Sequence, residues 1–108
     1  MQTGWERASA LADPASFTEI ADPALQKVLR SYLRHGHLSV VPRAGVKRTM
    51  LLSYLATAFE PGVKYPESEV NETVRAWHPD VAALRRHLVD EGFLARQDSL
   101  YWRCGGWM

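Results

Sequence analysis

A mainly helical α+β fold is predicted by three observations in the second half of the chain. Residues 67–77 place Val70, Val74 and Trp77 on one face at helical spacing. After the turn His78-Pro79, Asp80 is a favoured N-cap for a second helix, which Gly92 ends. Residues 93–97 and 100–104 then read as two short strands around the tight turn Asp98-Ser99. Helix, turn, helix and strand pair, in that order, predict a winged helix-turn-helix with an extra N-terminal helix and a short C-terminal β-hairpin. Residues 63–65 fit the small first strand that pairs with such a hairpin. Pro66 stands where Ser or Thr would complete a capping box with Glu69, so the first of the two helices has an imperfect cap.

Upstream, Asp22-Pro23 opens a helix with a carboxylate N-cap and proline at the first helical position. Leu25, Val28, Leu29, Tyr32 and Leu33 make its apolar stripe, and Gly36 is expected as its C-cap. Residues 37–41 alternate weakly and stop at Pro42, which fits a short edge strand. A basic entry over residues 43–48 leads into another helix with Leu51, Leu52, Leu55 and Phe59 buried, closed by Glu60-Pro61-Gly62. Residues 1–21 read as a partly flexible arm with one short helix, either packed by Trp5, Leu11, Phe17 and Ile20 or disordered. The expected organisation is that arm, a single domain over residues 22–104, and a flexible tail at 105–108.

The 108 residues leave room for one modest core, and 46% apolar with 23% charged residues is the balance of an ordinary globular domain. The start lacks a basic region followed by an apolar run. The longest nearly apolar stretch, residues 50–59, is too short to span a bilayer and is interrupted by Ser53 and Thr57. A single cysteine, Cys104, excludes an intramolecular disulfide and fits a reducing interior, so a cytoplasmic location away from membranes is expected. The net charge of +1 hides an asymmetry. Residues 1–24 sum to −3 and the remainder to +4, a mildly basic body behind an acidic lead-in.

The runs Gly36-His37-Leu38, Tyr65-Pro66-Glu67-Ser68-Glu69-Val70-Asn71 and Leu84-Arg85-Arg86-His87-Leu88-Val89-Asp90, with Asp80, Gly92 and Tyr101 about them, resemble the bacterial domain-of-unknown-function family 2087. The likeness covers roughly residues 25–103. It implies a winged-helix-like domain that serves transcription regulation, alone or appended to a helix-turn-helix module of the ArsR type. It implies no reaction, cofactor or ligand. Pro66 departs from the small hydroxyl residue more usual at that place.

The helix over residues 80–91 would be the one to enter a major groove. At 100° per residue Val81, Leu84 and Leu88 face inward, while Ala82, Ala83, Arg86, His87 and Asp90 face out. Arg86 is therefore the candidate for phosphate or base contact, with His87 and Ala83 beside it. Arg43, Lys47, Arg48 and Arg75 supply the supporting charges, with Arg96 and Arg103 in the hairpin. Arg85 falls on the flank of the apolar face and is expected to pair structurally with Glu67 or Glu69; Asn71 and Asp80 join these as structural polar groups. Against a nucleic-acid role, Asp90 stands four residues from Arg86 and can neutralise it, Glu67, Glu69 and Glu72 make the preceding helix acidic, and Asp98 sits at the tip of a short wing.

No catalytic constellation is visible: there is no nucleophile elbow, phosphate-cradling glycine loop or metal-protease helix. His35, His37, His78, His87 and Cys104 lack metal-ligand spacing, so no metal and no cofactor is expected. Trp77, Trp102, Tyr65 and Tyr101 read as core and hairpin aromatics, each needing a polar partner. Trp5 and Trp107 are spare ends or else dimer or partner contacts. The expectation is a non-enzymatic transcription-regulatory protein binding duplex DNA through the helix at 80–91, as a homodimer. The alternative is a protein-interaction module that docks a partner regulator. A small-ligand or metal sensor is a third possibility.

Overall fold

Six α-helices and two small antiparallel sheets build residues 3–105, the part of the chain that the computed structural model describes. The order is α1 (Gly4–Ala12), α2 (Pro14–Phe17), α3 (Pro23–Tyr32), β1 (Leu33–Arg34), β2 (His37–Leu38), α4 (Val46–Leu55), β3 (Lys64–Pro66), α5 (Glu67–Arg75), α6 (Val81–Asp90), β4 (Leu94–Gln97) and β5 (Leu100–Arg103). The α+β class expected from the sequence is the class observed. Gly106, Trp107 and Met108, and with them most of the expected tail, lie outside the described residues.

The apolar stripes converge on one core. Leu25 and Leu29 of α3, Leu51, Leu52 and Leu55 of α4, Val70 and Val74 of α5, and Leu84 and Leu88 of α6 are all buried, with Phe59 and Trp77 among them. Burying a Leu, Val or Phe side chain is worth roughly 1.5–3 kcal/mol, so this convergence is the main force holding the helices together. In the larger sheet β5 runs between β3 and β4, and Tyr65↔Tyr101 in the register sets two buried rings side by side. Phe59 meets Tyr65 edge-on at 5.3 Å, joining that sheet to the end of α4.

Helix ends follow local chemistry. Asp22 accepts a hydrogen bond from the Ala24 amide at 2.9 Å, and Asp80 accepts from the Ala83 amide at 3.2 Å. The missing side-chain cap at Pro66 is met from elsewhere: the Glu67 amide donates to the Ser99 carbonyl at 2.9 Å. The β4–β5 turn thereby caps α5, tying the helix to the sheet. Trp77 Nε1 donates to the Ala8 carbonyl at 2.8 Å, and Tyr65 Oη accepts from the Glu60 amide at 2.9 Å. Tyr54 Oη donates to the Leu11 carbonyl at 2.8 Å, and burial pushes its pKa up to about 12.

Three expectations need correction. The stretch read as an arm with one short helix forms two, α1 and α2, and Ala8, Ala12 and Phe17 reach the core. Its small residues explain the miss, because Gly4 and two alanines carry little hydrophobic signal yet permit close packing. A Cβ on Gly4 would collide with the Thr73 hydroxyl of α5. Second, Gly36 does not cap α3. That helix ends at Tyr32, and His35 (φ +54°) and Gly36 (φ +82°) are instead the two left-handed residues of a hairpin joining β1 to β2. The hairpin wins because it buries Leu33 opposite Leu38. Third, the strand expected over residues 37–41 is only His37–Leu38; Val40 is exposed and unpaired with any strand.

Candidate functional site

Helix α6 separates two neighbouring arginines. Arg85 turns toward α5 and the sheet, where it donates to Asn71 Oδ1 and lies 3.8 Å from Glu67 Oε1. Glu67 also accepts a hydrogen bond from Tyr101 Oη at 2.8 Å, and the Arg85 guanidinium stands 5.9 Å from the Tyr101 ring centre. Four side chains from α5, α6 and β5 therefore form one polar cluster. The Tyr101 hydroxyl, then the charge of Arg85, hold the Glu67 carboxyl below the usual carboxylate range. Burial and the bond to Glu67 push the Tyr101 phenol up. Glu69, the other carboxylate expected near Arg85, belongs to a different pair, with Arg7 of α1 at 3.4 Å.

Arg86 points the other way. It is exposed, and among the described residues it makes no ion pair, not even with Asp90 one turn on. Ala82 beside it is exposed and Ala83 half-exposed, so the outer side of α6 is low in profile with one projecting cation. Arg43, Lys47 and Arg75 are likewise exposed and form no ion pair among the described residues.

Arg48 and His87, expected among the contact residues, are engaged with each other. Arg48 Nη2 lies 2.8 Å from His87 Nδ1, and its Nε lies 3.0 Å from Glu91 Oε1, although that N–H is not aligned for a hydrogen bond. The guanidinium is a permanent donor, so Nδ1 accepts and His87 is neutral there. Burial, then Arg48 and Arg86, lower the His87 pKa below its ordinary value. This cluster ties the start of α4 to the end of α6.

Sequence reasoning missed Arg7. Its Nε donates to the Ala58 carbonyl at 2.8 Å, and its guanidinium stacks over Tyr65 at 5.4 Å while pairing with Glu69. The only cation of an acidic segment was the available signal. In the hairpin, Arg96 turns back on its own turn, donating to the Asp98 carbonyl at 3.1 Å, and Asp98 holds the left-handed corner at φ +57°. Trp102 is half-buried with Lys64 5.5 Å from its ring centre. No three His, Cys, Asp or Glu side chains converge on a metal site among the described residues, and no described helix is long and apolar enough to cross a membrane.

Residues 37–103 match the family model described as an uncharacterized protein conserved in bacteria (DUF2087). Comparison with curated proteins and with solved structures returned no match.

Proposed function

The chain belongs to this bacterial family, DUF2087, and from that premise we propose that it is a winged helix-turn-helix protein that regulates transcription by binding duplex DNA through α6. The family description carries no activity, so the reading rests on geometry. The order α4, β3, α5, α6, β4, β5, with β5 between β3 and β4, is the arrangement that supports the winged reading. In such a domain α6 is the helix that enters the major groove.

The observation that carries the proposal is the exposed Arg86, which forms no ion pair among the described residues and stands one turn on from small Ala82 and Ala83. Small neighbours let the helix backbone approach a groove, and an uncommitted guanidinium can grip a phosphate or a guanine edge in bidentate fashion. Lys47 and Arg43 would add phosphate contacts from the start of α4. Arg48 and His87 support the surface rather than touch DNA. The footprint of one chain is small, so two copies are expected to share a site.

The test is a fluorescence-anisotropy titration of the purified chain against mixed duplexes at low and moderate salt. Binding should weaken steeply with salt, and Arg86→Glu should cost roughly tenfold or more while reducing the salt slope by about one. Undiminished affinity in that variant would reject α6 as the contact helix. Binding to no duplex, even at low salt, would favour the docking of a partner protein.

A further inference from the structure

A second surface lies between α1–α2, the end of α3 and the β1–β2 hairpin. The groove there has a volume of about 710 Å³, which is in the range of small-molecule sites, roughly 300–1,000 Å³. Only His37 and Ala76 of its lining fall within the family-matched stretch; the rest comes from residues 5–36. Its lining combines two chemistries. Trp5, 46% exposed, and the buried Phe17 supply aromatic surface. Arg30 and Arg34 supply guanidinium groups, and His35 and His37 line the same groove.

The backbone explains why these groups meet. Arg30 occupies the last turn of α3, and the His35-Gly36 turn then folds the chain back so that Arg34 and His37 are cross-strand partners on one face. Arg30 lies 5.7 Å from the Phe17 ring centre, a cation–π contact that fixes the guanidinium and leaves its N–H edge open. Neither Arg30 nor Arg34 forms an ion pair among the described residues. The one carboxylate in the lining, Asp13, already accepts the Ala15 amide at 3.0 Å.

We propose that this groove binds a small aromatic anion, a planar ring carrying a phosphate or carboxylate group. The ring would cover the exposed indole of Trp5, and the anionic group would take the open guanidinium edges of Arg30 and Arg34. The two arginines form no ion pair among the described residues and outnumber the one lining carboxylate, Asp13, so charge complementarity selects an anion. The indole selects a flat apolar partner over a bare ion. The proposal does not depend on DNA binding by α6.

Isothermal titration calorimetry of the full chain tests it, with adenosine monophosphate and indole-3-acetate as probes and adenosine and inorganic phosphate as controls. At least one of the two aromatic anions should bind in the submillimolar range and more tightly than either control. Arg34→Ala and Trp5→Ala, both at exposed positions, should each weaken that binding roughly tenfold, with an unchanged melting temperature showing that the fold is intact. Arg86→Glu should leave it unchanged. The proposal is overturned if neither aromatic anion binds, if inorganic phosphate binds as tightly, or if affinity survives Arg34→Ala or falls equally in Arg86→Glu.

Discussion

The two sides of α6 begin from the same residue type and arrive at opposite physical situations. On the inner flank Arg85 is enclosed by Asn71, Glu67 and Tyr101, three partners drawn from two other elements. On the outer side Arg86 has open solvent and two alanines. One step along a helix is a 100° rotation, enough to move a guanidinium from a shared polar cluster to a free surface. The comparison teaches that charge counts mislead here: Arg85 and Arg48 add to the basic total but hold the fold, while Arg86, Arg43 and Lys47 remain available.

The difference can be broken or sharpened at several strengths. Leu84→Ala, on the core side of α6 and fully buried, should cost most, about 2–5 kcal/mol by thermal or urea unfolding. Such a loss is a large part of the roughly 5–15 kcal/mol available to a domain of this size. Arg85→Ala should cost about 1–3 kcal/mol, because it removes the donor to Asn71 Oδ1 and a charged neighbour of Glu67. An unchanged melting temperature in Arg85→Ala would show that the cluster is decorative and erase the distinction between the faces.

Acid should act on the two clusters in turn. The His87 pKa is depressed from its ordinary 6.5, so its contribution is present above that value and is lost as pH falls below it through the folded-state value. Glu67 is depressed from 4.5, so its contribution holds above that value and is lost at lower pH still. Melting temperature against pH should therefore decline in two stages. Replacing His87 with Gln should remove the first stage, and replacing Glu67 with Gln the second; a single stage untouched by His87→Gln would show that the Arg48–His87 contact contributes nothing. The smallest effect is expected on the outer face, where Arg86→Glu should change stability by no more than about 0.5 kcal/mol. A larger loss would mean that Arg86 also has a structural partner.

Much of this arrangement is readable from the chain alone because its causes are local. Helical spacing placed Leu51, Leu52, Leu55, Val70, Val74, Leu84 and Leu88 inward, and all are buried. Asp22 and Asp80 cap their helices through amides two and three residues away, an interaction complete within one turn. The 100° step likewise separates Arg85 from Arg86.

Other features depended on groups far apart in the sequence, and only the tertiary structure decided them. Gly36 was compatible with a helix C-cap or a hairpin turn, and the burial of Leu33 opposite Leu38 chose the turn. Arg48 looked like a contact residue until folding set it against His87 and Glu91, about forty positions away in the chain. The weakly apolar helix α1 is held by partners more remote still: Trp77 bonds Ala8, and Arg7 reaches Ala58, Tyr65 and Glu69. Spacing and capping energies act within a few residues and are written in the local sequence. Which charges are consumed, and which remain to meet a ligand, depends on the neighbours that long-range packing supplies.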